Sequence, residues 1–273
     1  GDGPLEDKIA AFNAWFGSFS PRTNKLVAAA VPGMRVGTLT TEDVRMDEIY
    51  LEVPLASIMN KDSGWRDDVL GPVYRTLGER HPQGDAFHEL LFHLVYERFV
   101  RERDSKYWPY LNVIPNKEEL NAPGITWSED ELAELEGSDI LPFLRDYSRR
   151  VDRKFDGVKK HVLAQFPEVF VDEHYSRANY RWAHAILDSR RIWWGGEGHL
   201  VPMLDLVNCA QGPDPARVHS TWLDAETQSH AVTKGAWNFK KGEQLFEPYG
   251  QPNHIYFAYH GFMLDHNAHD CVK

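Results

Sequence analysis

Cysteine is almost missing from this chain: Cys209 and Cys271 are the only two in 273 residues. That scarcity excludes a disulfide framework and any four-cysteine zinc site. It points to a reducing, intracellular compartment; cytoplasm, nucleus and plastid are not distinguished. No apolar run reaches the ~20 residues of a membrane span, so no membrane partner is expected. The opening Gly1-Asp2-Gly3-Pro4 lacks the basic and apolar regions of a signal peptide. The missing initial Met and the abrupt end at Asp270-Cys271-Val272-Lys273 read as cut ends, so a fragment is expected. There is no G-x-x-x-x-G-K-[ST] and no G-x-S-x-G, so neither the P-loop nor the hydrolase elbow is signalled. Repeats and low-complexity linkers are absent as well. Cationic excess is lacking too: 30 Lys plus Arg face 41 Asp plus Glu, a net charge of −11. Such a body repels phosphate backbones, which disfavours nucleic acid and favours a small molecule or a basic polypeptide.

What is present is ordinary for a folded protein. Apolar residues make up 42% and charged residues 26%, and 9 Trp, 11 Tyr and 14 Phe argue against disorder. The length fits one large or two modest domains. Residues 4–17 read as an amphipathic helix, with Ile9, Phe12 and Phe16 on one face. The apolar run 25–31 stops at Pro32-Gly33. Val36, Thr38 and Thr40 then alternate as a strand does, as do Ile49, Leu51 and Val53, and Pro54 ends the unit. From 64 to 103 the periodicity is helical. It is strongest where Phe87, Leu90, Leu91, Leu94, Val95 and Phe99 make a broad stripe. Ser128 three residues before Glu131 resembles a capping box, and 139–165 and 174–190 read as further helices. The last third returns to strands, with a hairpin in 220–239 turning near Asp224-Ala225-Glu226. The order β, α, β makes the fold class α+β, with distant strands sharing one sheet region.

Several residues invite a chemical reading. Gly37 sits in a strand-like stretch, where a glycine permits close approach of a ligand or simply marks a bulge. Asp205 and Asn208 precede a Gly/Pro loop. Tyr249 ends a strand against Gly250, and aromatics follow at 256, 257, 259 and 262. His266, His269 and Cys271 are closely spaced but supply only three ligands, so no metal is expected. Cys209 reads as a small buried side chain rather than a nucleophile.

Taken in order, the segments form a series. They are RVGTLTTEDVRMDEIYLEVP (35–54), SKYWPYLNVIP (105–115), WSEDELAELEGS (127–138), ILDSRRIW (186–193), LVPMLDLVNC (200–209), GEQLFEPYG (242–250), NHIYFAYHGF (253–262) and HNAHDCV (266–272). This series resembles the split-SET class of SET-domain protein methyltransferases, typified by the Rubisco large-subunit lysine methyltransferase and including the actin-histidine methyltransferase. The resemblance runs from about residue 12 to residue 272. It implies a SET fold of short β-sheets with a C-terminal pseudoknot, interrupted by a large helical insert. The implied parts are an N-terminal helix and first SET half (1–56), a helical insert (57–190) and a second SET half with the pseudoknot (191–273). A helical substrate-binding domain follows in the family and is not in this sequence.

The resemblance also implies S-adenosylmethionine as methyl donor. The family's G-x-G corresponds to Arg35-Val36-Gly37, so the first glycine is lost. The backbone at Val36 and Gly37 is then expected at the donor, with Arg35 pointing away. Ser189-Arg190 matches the family's Ser/Thr-Arg, and Arg190 would hold the donor carboxylate. Asp205 and Asn208 match D-x-x-N-H, with Asn208 accepting from the donor ammonium. Cys209 replaces the histidine that serves the adenine through its backbone. Tyr249 matches the catalytic tyrosine and Phe262 the donor-side aromatic. His260 stands where the family often has a second tyrosine. It is expected in the acceptor channel, with Tyr256 and Tyr259 as further channel candidates. The implied activity is methyl transfer to a side-chain nitrogen, lysine or histidine, of a protein substrate, by a protein expected to be a monomer. Two alternatives stand beside it. One is a catalytically impaired SET module that binds a protein partner, on the departures at Arg35, Cys209 and His260. The other is a Cys/His hydrolase resting on Cys209.

Overall fold

A computed structural model describes residues 3–80 and 84–270. Helix α1 (Leu5–Ser18) buries Ile9, Phe12 and Phe16, the face expected from their spacing. Glu6 and Asp7 in its first turn complement the helix dipole. Two fully buried phenylalanines stabilise this contact by roughly 1.5–3 kcal/mol each. Asn13 of α1 reaches Ala28, donating to its carbonyl at 2.9 Å and accepting from its N–H at 3.0 Å. That exchange satisfies the open edge of β1 (Leu26–Val31).

Strand β1 pairs antiparallel with β2 (Arg35–Thr40), setting Ala29 opposite Gly37. Strand β3 (Ile49–Pro54) joins another sheet. After it come α2 (Lys61–Trp65), α3 (Leu70–Arg80) and α4 (Ala86–Val95), which runs into a π-helical turn, Tyr96–Arg101. The stretch 64–103 is therefore several helices. Asp67 makes the break before α3 by accepting the N–H groups of Val69 and Leu70. Helices α5 (Trp108–Val113), α6 (Pro123–Thr126) and α7 (Glu129–Ala133) are short. The capping box of Ser128 and Glu131 starts α7. Helix α8 (Ile140–His161) is the longest, and α9 (Arg177–Arg190) starts after its cap, Ser176. Ser176 accepts from the Asn179 N–H, which moves the helix start to 177 from the expected 174.

The last third holds β4 (Ile192–Trp194), β5 (Glu197–His199), β6 (Asn208–Cys209), β7 (Thr221–Leu223), β8 (His230–Lys234) and β9 (Phe246–Glu247). Helix α10 (Asn253–Ile255) and a π-helical turn, Tyr256–His260, follow. The expected hairpin is β7–β8, and β8 pairs on its other side with β3 to give the order β3-β8-β7. Strands about 180 residues apart thus share a sheet, as the α+β expectation requires. Strands β6 and β9 pair in parallel, with Cys209 opposite Glu247, in the region where the resemblance puts a pseudoknot. The main core runs from Phe12 through Leu51, Leu91 and Ile186 to Leu245, and a smaller cluster of Leu132, Leu141, Leu144 and Ala258 stands beside it. The main core draws residues from all three parts read from the sequence.

Candidate active site

The last turn of α9 delivers Arg190 to Asp205. Arg190 Nη1 donates to the Asp205 carbonyl at 2.9 Å and lies 3.5 Å from its Oδ2. Tyr110, from α5, donates to the same Oδ2 at 2.7 Å. The Asp205 side chain is fully buried, and its Oδ1 has no hydrogen-bond partner. Burial raises its pKa more strongly than Arg190 and Tyr110 lower it. The other nitrogens of Arg190 make no hydrogen bond to the described residues. Asp205 and Tyr110 hence orient a guanidinium whose remaining donors face outward.

Asn208 is held from the opposite side. Its Nδ2 donates to the Val36 carbonyl at 3.1 Å and to Gln244 Oε1 at 2.9 Å. Both amide hydrogens are spent, so Oδ1 is left as a pure acceptor. Gly37 makes this possible. A Cβ there would lie 2.3 Å from Gln244 Oε1, 2.8 Å from Asn208 Nδ2 and 2.9 Å from Val31 Cγ2. The glycine is no bulge, because the β1–β2 register is regular, and two amide side chains fill the space a Cβ would take. Gly37→Ala is expected to cost about 1–3 kcal/mol by overpacking and to displace the Asn208 amide. Chemical denaturation and donor titration of the variant check both effects.

Arg35 departs from expectation. Its backbone is left-handed, at φ 62°, a conformation that glycine adopts freely. Its side chain does not point away. Nη1 donates to the Val113 carbonyl at 2.5 Å and Nη2 to Glu119 Oε2 at 2.8 Å, which draws the guanidinium along the wall of the cavity that Asn208 lines.

Two cavities meet here. One, of about 440 Å³, is lined by Arg35, Asn208, Cys209, Tyr259 and Phe262 among others. The other, of about 350 Å³, is lined by Trp193, His219, Thr221, Glu247 and Gln251 among others. Ser189, Arg190, Asp205, Tyr249 and His260 line both. The phenol of Tyr249 donates to the Val207 carbonyl at 2.6 Å. Burial first, then the neighbouring Cys209, pushes its pKa above the ordinary value, so it stays protonated and is no base. Burial, with Arg190 nearby, pushes His260 down to about 4, and its ring has no hydrogen bond among the described residues.

His260 carries a pH signature. Its folded pKa lies below the ordinary 6.5, so between about pH 6.5 and 4 the unfolded chain binds the extra proton. Its contribution to stability is whole above that window and is lost as the pH falls through it. Melting temperature should drop in that range, and His260→Phe should flatten the drop in parallel thermal melts.

No family model matches the chain. The structure superposes on the SET domain of LSMT bound to lysine and AdoHcy with a TM-score of 0.80. Identity is 21%, and the match covers 96% of this chain and 58% of that one. Rubisco LSMT bound to AdoMet gives 0.78 at 22% identity, over 96% and 57%. The chain has the SET-domain fold. Its relatives include the actin-histidine N-methyltransferase of Xenopus tropicalis, 25% identical across 100% of this chain and 46% of the relative. The enzyme of that name from Homo sapiens is 26% identical over 87% of this chain and 39% of its own length. The chain spans less than half the length of these curated relatives.

Within the SET fold, the residues picked from sequence separate into groups. Arg190, Asn208, Cys209, Tyr249, His260 and Phe262 come together around the paired cavities. Val36 borders the same region through its carbonyl, and Gly37 lies beneath Asn208. Asp205 acts on Arg190 more than on open space. Tyr256 lines neither of the two cavities. It is buried, stacks on Phe262 at 4.9 Å and accepts from the Gln251 N–H at 3.1 Å. Tyr259 lines only the cavity of Arg35 and Asn208, and packs edge-on against Tyr147 at 4.9 Å. The π-helical turn separates these side chains, and Gly261, at φ 72°, ends it against Asn121.

Cys209 is buried in strand β6, and burial pushes its thiol up, away from a nucleophile. That removes the support Cys209 gave to a hydrolase reading. Of the three-ligand motif, His266 and His269 lie in the terminal loop, and Cys271 lies outside the described residues. Among the described residues Asp67, His93 and Glu97 bring ligand atoms within 4.8 Å. Arg101 pairs with both carboxylates there, at 2.9 and 3.4 Å, so the group is an ion network without need of a metal. Tyr110 and Gln244 were missed from sequence. Their only signals were an aromatic connector and a turn, neither of which names a partner. No helix of the described residues is long and apolar enough to cross a membrane.

Proposed function

We propose that the chain is the SET portion of an S-adenosylmethionine-dependent protein methyltransferase that modifies a side-chain nitrogen, lysine or histidine, of a protein substrate. The observation that carries this reading is the pair of cavities sharing Tyr249, His260 and Arg190 as a common wall. A donor in one and an acceptor in the other would meet at the Tyr249 phenol. The names of the relatives, protein N-methyltransferases, support the same reading.

The residues present fit the donor. Arg190 offers unspent guanidinium donors to a carboxylate. Asn208 offers a lone acceptor, Oδ1, to an ammonium. Phe262, stacked on Tyr256, gives a fixed aromatic face in the same cavity. When bound, the donor supplies a methyl group on a sulfonium, electrophilic at carbon. The wall residues then align the acceptor nitrogen with that carbon and keep water out. Tyr249, held protonated, contributes its oxygen as a fixed dipole beside the transferring methyl, and takes no proton. His260, neutral above about pH 5, adds no like charge to a site that handles cations.

Titration calorimetry with S-adenosylmethionine and with S-adenosylhomocysteine tests the reading. One-site binding, weakened by Asn208→Ala, supports it. A folded sample that binds neither would leave the partner-binding module as the better account.

A further inference from the structure

Behind the acceptor-side cavity lies a hydroxyl, an imidazole and a carboxylate in series. Thr221 Oγ1 is 2.8 Å from His219 Nε2, and His219 Nδ1 is 3.2 Å from Glu247 Oε2. All three residues line the cavity that Tyr249 borders. Each is fixed from behind. Tyr50, fully buried, donates to Glu247 Oε1 at 2.6 Å, and Glu247 itself is 2% exposed. Thr233 Oγ1 lies 2.8 Å from Thr221 Oγ1. The His219 N–H donates to the Pro248 carbonyl at 2.7 Å, which docks its loop on the segment leading to Tyr249. His219 Nδ1 lies within ion-pair range of the carboxylate without a hydrogen bond to it, and the relay takes the tautomer in which Nε2 accepts from the threonine hydroxyl.

We propose that Thr221, His219 and Glu247 form a proton relay that deprotonates a protonated alkylamine, a lysine side chain, in the acceptor cavity. This rests on the methyltransferase reading. An amine with an ordinary pKa of about 10.4 enters as an ammonium and has no lone pair for attack, whereas an imidazole, at about 6.5, enters neutral. A built-in base therefore serves lysine and is idle for histidine. In the step, the ammonium gives one proton to Thr221 Oγ1 as that hydroxyl passes its own to His219 Nε2. The amine becomes neutral and the ring becomes an imidazolium. Glu247, with Oε2 3.2 Å from Nδ1, balances the charge of that ring. Thr233 takes one lone pair of Thr221 Oγ1 and leaves the other for the incoming ammonium. The other charged or titratable groups on this cavity are Asp188, Arg190, Arg191, Asp205, Tyr249 and His260, and Arg217 beside the loop is paired with Asp47. Glu247 is the carboxylate within ion-pair distance of the His219 ring.

The test uses the whole chain and labelled-methyl transfer to poly-L-lysine across pH. His219→Gln should lower turnover by about 100-fold near neutral pH and recover toward about pH 9.5, where the amine deprotonates unaided. A loss uniform across pH would overturn the relay. A second reading is NMR of ring-labelled histidine in the protein loaded with S-adenosylhomocysteine. Added n-butylamine should shift the His219 Nε2 signal through the Thr221 hydroxyl, and Thr221→Val should abolish the shift. Butylamine binding with an unmoved His219 signal would overturn the relay, as would a Thr221-dependent burst from p-nitrophenyl acetate, the mark of an acyl-transfer triad. Failure of the wild-type chain to bind S-adenosylhomocysteine would instead overturn the methyltransferase reading itself.

Discussion

Replacing Arg190 with alanine is expected to weaken S-adenosylmethionine binding by about 30-fold to 5,000-fold, the 2–5 kcal/mol typical of truncating a buried charge pair. The guanidinium is the cation that both cavities share, and it is already oriented by Asp205. The same substitution strands the Asp205 carboxylate, which is fully buried and has one oxygen without a partner. Loss of affinity in Arg190→Ala therefore mixes lost recognition with lost stability. Arg190→Lys separates the two. The charge beside Asp205 remains, but the planar fork needed for a carboxylate does not. Near-normal melting with affinity down about tenfold, one charge-assisted hydrogen bond, is the expected result by calorimetry. Unchanged affinity in Arg190→Lys would remove Arg190 from donor recognition.

Tyr249→Phe should reduce methyl transfer by about 100-fold to 1,000-fold, the usual loss of one preorganised transition-state dipole. Donor binding should change little, because the hydroxyl is spent on the Val207 carbonyl rather than offered to the donor's charged groups. The stability cost is about 1 kcal/mol, a single hydrogen bond. Single-turnover transfer of labelled methyl to extract proteins, beside calorimetry of the donor, distinguishes the two effects. A parallel fall in affinity and turnover would make Tyr249 a packing residue of the donor cavity. Because the phenol is held protonated by burial, no limb of the pH profile should belong to it.

Much of the architecture is legible along the chain because it is local. The face of α1 follows from Ile9, Phe12 and Phe16, and the start of α7 follows from Ser128 and Glu131. The end of β1 follows from Pro32-Gly33. The site was readable only as an ordered series of short segments, each weak alone. Arg35 was misjudged because sequence places a side chain on a strand but not the acceptors around it. Val113 and Glu119, about 80 residues on, decide where its guanidinium goes. The places of Tyr256 and Tyr259 were not legible for another reason. A π-helical turn alters the angular spacing of side chains, and nothing in the residue types announces it.

The sequence by itself determined the alternation of β, α and β segments, the scarcity of cysteine, the acidic charge and the positions of Arg190, Asn208 and Tyr249 in a recognisable order. Periodicity, capping and turn chemistry act over a few residues, so one chain suffices to read them. Only the tertiary structure decided that β3 pairs with β8, that Tyr110 buttresses Asp205, and that Gly37 yields its space to Asn208 and Gln244. It alone set Thr221, His219 and Glu247 in line. Each of these depends on contacts between elements distant along the chain. Such contacts are fixed by close packing and by the requirement that buried polar groups find partners.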